Sequence, residues 1–233
     1  MPPLGEHQLG EHQFREHHLT VPRTARYYTL GEPGPATREI WIVCHGYGQL
    51  ARDFVANFTP VSAPGRTIVG PEALSRYYLD DTRGGSHASS PVGATWMTRE
   101  DRDSEIADQI SYLDSLHAAV AAQAAPGAAL TVLGFSQGVA TVCRWLDRGR
   151  TRADRLICWG GAIPDDVRLG KDSPIRHPAL WLVAGSRDIY ATAERVAHHE
   201  SVLRAAGVPF TRLTFDGGHR LDDGTMRRLA DSG

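Results

Sequence analysis

Ser136 stands in the run Gly134-Phe135-Ser136-Gln137-Gly138. Before it lies the apolar stretch Leu130-Thr131-Val132-Leu133, and after it Val139 to Leu146 reads as a helix. A serine on a sharp strand-to-helix turn occupies strained backbone, and side chains two positions to either side would collide with it. Gly134 and Gly138 remove those side chains, so the Gly-x-Ser-x-Gly spacing has a steric reason in this context. The first amides of the new helix point at the same spot, which favours developing negative charge. The chemistry implied is nucleophilic attack by a hydroxyl on a carbonyl, which requires a base to take the serine proton.

Where Gly-x-Ser-x-Gly forms a nucleophile elbow between a strand and a helix, the partners follow in the order Ser, then acid, then His. Downstream, Pro178-Ala179-Leu180-Trp181-Leu182-Val183-Ala184 reads as a strand that runs into Gly185-Ser186-Arg187-Asp188. Further on, Pro209 to Phe215 alternates like a strand and ends in Asp216-Gly217-Gly218-His219. Ligands of open parallel sheets bind at the carboxyl ends of the strands, and Ser136, Asp188 and His219 all fall there. His219 is expected as the base and Asp188 as the acid that fixes its tautomer. Asp216 is the rival acid, and a helix cap is the competing duty for Asp188. An earlier strand, Ile40 to Cys44, opens into His45-Gly46-Tyr47-Gly48-Gln49. The backbone amides of Tyr47 and Gln137 are expected to form an oxyanion hole. His45 is read as ordering that turn through a hydrogen bond rather than reacting.

Together, His45-Gly46-Tyr47-Gly48, Gly134 to Gly138, Gly185 to Asp188 and Gly218-His219 resemble the phospholipase/carboxylesterase family of α/β-hydrolases over roughly residues 20–231. The resemblance implies a single-domain α/β-hydrolase without a large cap domain. It implies a mostly parallel sheet flanked by helices, with no cofactor and no metal. The implied activity is cleavage of carboxylic esters or thioesters of small molecules through an acyl-enzyme. The chain departs from the family pattern at Val139, Tyr47 and Gln49, the last standing where the family usually has Asp. Amide, peptide or lactone cleavage is the alternative within the same chemistry, since a triad does not choose its acyl donor. A non-catalytic binding protein on the same fold is a further alternative.

The elements that must position these residues are legible as alternating strand and helix. Strands are expected near 39–44, 66–70, 129–135, 154–159, 179–185 and 209–215. Helices are expected near 50–57, 100–123, 137–148, 191–206 and 222–231. In the 100–123 helix, Ile106, Ile110, Leu113 and Val120 share one face, and Thr98 with Asp101 suggests a capping box. His18 to Val21 and Ala25 to Leu30 read as an antiparallel hairpin at the sheet edge, with Pro22 near its turn. Residues 71–99 form the longest irregular connection and are expected over the site. Trp96 and Tyr47 are candidates for its apolar wall, with Trp96 as a core anchor the competing reading. Tyr190, two residues past Asp188, either lines the pocket or packs.

Composition narrows the remaining classes. A chain of 233 residues with 41% hydrophobic content fits one domain, and a net charge of −2 gives no basic stripe for nucleic acid. No apolar run is long enough to span a bilayer, so no integral membrane association is expected. Three cysteines, all inside strand or helix runs, read as free buried thiols of a reducing, cytoplasmic compartment. The pentapeptide Leu4-Gly5-Glu6-His7-Gln8 recurs as Leu9-Gly10-Glu11-His12-Gln13. Two copies are too few for a repeat fold. Residues 1–17 are therefore expected to be a flexible tail ahead of a hydrolase domain at 18–233.

Overall fold

The computed structural model describes residues 15–80 and 90–232. The pentapeptide repeat and Thr82 to His87 lie outside the described residues. Nine strands and five helices alternate through the rest: β1 Tyr27–Leu30, β2 Glu39–Cys44, α1 Ala51–Ala56, β3 Arg66–Pro71, β4 Ser75–Tyr78, β5 Val92–Thr95, α2 Arg102–Ala121, β6 Ala129–Phe135, α3 Gln137–Arg148, β7 Arg155–Trp159, β8 Ala179–Gly185, α4 Ala193–Ala205, β9 Thr211–Phe215 and α5 Asp223–Asp231. Seven strands form one sheet in the order β1-β3-β2-β6-β7-β8-β9. Every neighbouring pair in it is parallel except β1 with β3.

Strands buried on both faces read as continuous apolar runs, and β2 illustrates the division of labour. Ile40, Ile42 and Cys44 pack with α2 and α3 residues such as Leu113, Val120, Val142 and Trp145. Trp41 and Val43 pack on the opposite face with Phe54 and Phe58 by α1 and with Met226 and Leu229 of α5. Burying each such side chain contributes about 1.5–3 kcal/mol. At the amino ends of the strands, the Arg155 guanidinium donates to Thr131 Oγ1, the Leu229 carbonyl and Glu39. This ties α5 to the sheet at the end away from Ser136. The stripe Ile106, Leu113 and Val120 is buried as its spacing predicts.

Four local expectations are corrected. The N-terminal hairpin does not form: residues 15–26 hold no strand, and Tyr27–Leu30 pairs with β3 instead. A neighbouring core strand offers a longer apolar ladder than the Pro22-interrupted stretch could. Residues 71–99 are not wholly irregular, because β4 and β5 pair antiparallel from Ser75↔Thr95 to Tyr78↔Val92. The Thr98–Asp101 capping box is absent. Asp101 takes a left-handed conformation at φ 44° and caps nothing with its side chain. Instead the Glu105 carboxylate accepts from the Thr98 amide at 2.7 Å and from the Ser75 hydroxyl at 3.2 Å, joining α2 to β4. The fourth, Trp96, is part of the site's framework and is described with it. Cys44, Cys143 and Cys158 are buried and free.

Candidate active site

The parallel register sets the ends of β2, β6, β7, β8 and β9 along one edge: Cys44 lies opposite Gly134, Phe135 opposite Trp159, and Gly185 opposite Phe215. Ser136 follows β6 with φ 53° and ψ −117°. Such backbone in a non-glycine residue costs on the order of 1–3 kcal/mol. It is held by the Ser136 amide donating to the Trp159 carbonyl and by the Ser136 carbonyl accepting from Val139. A Cβ on Gly134 would lie 2.4 Å from the Gly138 carbonyl oxygen, and one on Gly138 2.2 Å from that of Cys44. Both glycines are sterically required, as the motif implies.

His219 Nε2 lies 2.9 Å from Ser136 Oγ, and His219 Nδ1 lies 2.7 Å from Asp188 Oδ2. The three residues that the sequence set at separate strand ends therefore meet in one hydrogen-bonded line. Asp188 is buried, and its other oxygen accepts from the Tyr190 and Ala191 amides, both at 2.8 Å. Burial works to raise its pKa. The hydrogen bonds from Ala191, His219 and Tyr190 outweigh that and hold it below the usual carboxylate range. Capping and orienting His219 are thus not exclusive duties for Asp188, since each uses a different oxygen. Asp216 is elsewhere: exposed, bonded to the Ser186 hydroxyl and the Arg187 guanidinium.

The His219 ring lies between Phe135 and Tyr190, each with its ring centroid 4.8 Å away. Tyr190 also lines a cleft of about 240 Å³ beside Ser136. Gly160, at φ +61°, was missed by sequence reasoning; a Cβ there would sit 3.2 Å from His219 Cε1 and 3.4 Å from Asp188 Oδ2. Its signal was present, as Gly160-Gly161 follows directly on the apolar run of β7. The loop bearing His219 is tied down by Trp159 Nε1 donating to the Arg220 carbonyl and by the Arg187 amide donating to Gly217.

On the other side of Ser136, the turn at 45–49 is braced from several directions. The Gly46 amide donates to Gln49 Oε1 at 2.8 Å, and the Gly48 amide to the Ala94 carbonyl at 2.9 Å. A neutral Gln49 thus supplies the acceptor that closes this turn. His45 is fully buried, with Nδ1 2.7 Å from the Gly46 carbonyl and Nε2 accepting from the Ala73 amide at 3.1 Å. That pattern needs the neutral Nδ1–H tautomer, and burial lowers its pKa in the same direction. Neither the Tyr47 nor the Gln137 amide donates to another described residue.

Trp96 corrects the expectation of an apolar substrate wall. It is 3% exposed, and its indole N–H donates to the His45 carbonyl at 2.8 Å. Its amide donates to Gln137 Oε1, while Gln137 Nε2 donates to Met97. An indole finds more apolar contact under the turn than over the cleft, and its N–H finds a carbonyl there. The Gln137 side chain, singled out only for its amide, is the peg that fastens β5 to α3. Tyr47 is 60% exposed and rests against Tyr77 with centroids 5.3 Å apart. Among the described residues, Glu16, His18 and Asp101 bring ligand-type atoms within 4.8 Å of one another. All three are exposed, and contacts of 3.1–3.2 Å from His18 Nε2 to the two carboxylates account for the grouping.

Neither the family models nor the curated proteins hold a match to this sequence. Solved structures do match. Esterase PE8 superposes with a TM-score of 0.62 at 20% identity, covering 90% of this chain and 98% of that one. Acyl-protein thioesterase 2 from Zea mays gives 0.66 at 16%, covering 90% and 97%. The fold is the α/β-hydrolase fold that these esterases and thioesterases share. The Bacillus cereus carboxylesterase shares the hydrolase fold at a TM-score of 0.65 and 11% identity, covering 89% of this chain and 92% of its own. Identities this low speak to the fold alone. No helix among the described residues is long and apolar enough to cross a membrane.

Proposed function

We propose that this chain is a serine hydrolase that cleaves carboxylic esters or thioesters. The reading rests on the hydrogen-bonded line Ser136 Oγ, His219 and Asp188, with spacings of 2.9 and 2.7 Å, on a serine in strained backbone at a helix start. His219 takes the hydroxyl proton as Ser136 Oγ adds to the carbonyl carbon. The carbonyl oxygen becomes an oxyanion, met by the Tyr47 and Gln137 amides; one such donor is worth about 2.7–4 kcal/mol in the transition state. Asp188 holds His219 in the Nδ1–H tautomer and stabilises the imidazolium. His219 then gives its proton to the leaving alcohol or thiol as the carbon–oxygen or carbon–sulfur bond breaks. Water, activated by the same imidazole, cleaves the acyl-Ser136 ester and restores the hydroxyl. Tyr190 holds the imidazole in place and forms one wall of the acyl site. Residues 18–233 constitute the catalytic domain, working on a small-molecule substrate without a cofactor.

The deciding experiment is hydrolysis of p-nitrophenyl acetate and butyrate by wild type and Ser136→Ala, with a fluorophosphonate label mapped by mass spectrometry. Turnover and a label on Ser136, both lost in the variant, are expected. Turnover that survives in a folded variant overturns the reading.

A further inference from the structure

The sequence of α4 leaves a cation beside the nucleophile without a charged partner. On a helix, Arg195 faces the residues three and four positions further on, where a carboxylate would pair with it. Those positions hold His198 and His199. Further along the same helix, Arg204 does find a carboxylate, that of Glu200 at 2.7 Å. Arg195 makes no ion pair among the described residues, and its guanidinium donates to the Tyr190 carbonyl at 3.0 Å. That bond holds it next to Tyr190, whose ring packs against that of His219. The cleft of about 240 Å³ beside Ser136 is lined by Arg195 and His199, and its described lining residues include no Asp or Glu. The rest of its wall is Tyr190 with small and aliphatic residues.

We infer that this cleft selects esters that carry a carboxylate, and that the Arg195 guanidinium is the group that receives it. The inference rests on the serine-hydrolase reading and adds a class of substrate to it. A guanidinium presents five N–H donors in a planar fork that matches a carboxylate. The Tyr190 carbonyl takes one of them and leaves the others for a ligand. Because that acceptor is neutral, it orients the side chain without cancelling its charge. Asp188, held ionised next to His219, repels an anion bound beside Ser136. A cation in the wall of the same cleft offsets that repulsion. His199 is half-buried. Burial, His198 and Arg195 lower its pKa against the opposing pull of Asp165, so at neutral pH it offers the ligand an uncharged N–H. Arg195 supplies the permanent charge. An exposed arginine on a helix is ordinarily part of a solvated face. What sets Arg195 apart is its place in the wall of the cleft that holds the nucleophile, with no acid beside it.

The test compares kcat/KM for the monomethyl esters of succinate, glutarate, adipate and suberate with that for the methyl alkanoates in which a methyl group replaces the carboxylate. A second series sets 4-acetoxybutanoate against butyl acetate, so that the carboxylate departs with the alcohol. In the series whose carboxylate meets Arg195, Arg195→Gln should lower the charged-to-neutral ratio roughly tenfold, mainly through KM. Arg195→Lys, which keeps the charge, should hold the ratio within about threefold of wild type. Arg195→Glu should lower it further and favour methyl 6-aminohexanoate instead. Raising salt from about 0.02 to 0.5 M should reduce the ratio in wild type and leave it unchanged in Arg195→Gln. The site is exposed, so all three variants are expected to fold. A ratio that Arg195→Gln leaves within roughly twofold of wild type in both series overturns the inference. Equal losses on charged and neutral esters overturn it too, because they make Arg195 a prop for Tyr190 alone. A wild type that neither turns over methyl hexanoate nor takes a fluorophosphonate label at Ser136 overturns the hydrolase reading itself. One that does both, with a ratio indifferent to Arg195, overturns only the carboxylate preference.

Discussion

Replacing Asp188 separates its two duties. In Asp188→Asn, the side-chain oxygen remains the only acceptor able to satisfy the Tyr190 and Ala191 amides at 2.8 Å. The amide NH2 must then face His219 Nδ1, 2.7 Å away. A neutral imidazole carries one proton, so Nδ1 becomes the acceptor and Nε2 the donor. Nε2 sits 2.9 Å from Ser136 Oγ and, protonated, cannot take the serine proton. The expected loss is about 10⁴ in kcat/KM, or about 5.5 kcal/mol of transition-state stabilisation. Stability should hardly change, because every buried donor keeps a partner. Asp188→Ala differs: it also abolishes most activity but leaves two main-chain amides without an acceptor. That costs about 1–3 kcal/mol, or roughly 2–4 °C of Tm per kcal/mol for a domain of this size. The assay is single-turnover acylation by p-nitrophenyl acetate, with Tm measured on the same samples. Asn at position 188 with activity within tenfold of wild type would refute the tautomer argument. Equal stability of the two variants would refute the claim that the carboxylate is needed by the loop.

Gly160→Ala places a Cβ 3.2–3.4 Å from the His219 and Asp188 atoms at φ +61°. Backbone strain of about 1–2 kcal/mol is expected, with kcat reduced on the order of 10²-fold by misplacement of the pair; unchanged kcat at a lowered Tm would reject the steric account. Asp216→Asn alters only an exposed contact with Arg187 and Ser186, so kcat/KM should stay within roughly twofold of wild type, and a larger fall would reinstate Asp216 as an orienting acid. Asp114 is buried, which raises its pKa, but bonds from the Arg150 amide, the Trp145 indole and Thr151 outweigh that and the net shift is downward. A depressed folded pKa adds stability above the unfolded value of about 3.9, and that stability is lost as pH falls below it. Urea unfolding from pH 7 to 3 should therefore show wild type losing stability in acid more steeply than Asp114→Asn; parallel curves would count against it.

What the sequence determined by itself was local. Gly134-Phe135-Ser136-Gln137-Gly138 needs only its own backbone sterics to announce the turn, and the helix and strand runs fall within about two residues of their observed ends because their apolar spacing is intrinsic. The placement of Asp188 and His219 at strand ends was legible for the same reason. Tertiary structure decided what depends on residues far apart in the chain. Whether Asp188 or Asp216 reaches His219 is set by how the β8 and β9 loops pack, where Arg187 draws Asp216 away. Trp96 is an apolar residue in a loop whose direction only the β4–β5 pairing fixes, and its indole turned to the His45 carbonyl. Gly160 acquires meaning once His219 lies over it, and Arg195 once α4 packs across the cleft from Gly160 and Gly161. In each case the deciding interaction is a close contact between elements remote in sequence. Local pattern states how each element folds, and only the packed sheet states which strand ends, loops and side chains come to rest against one another.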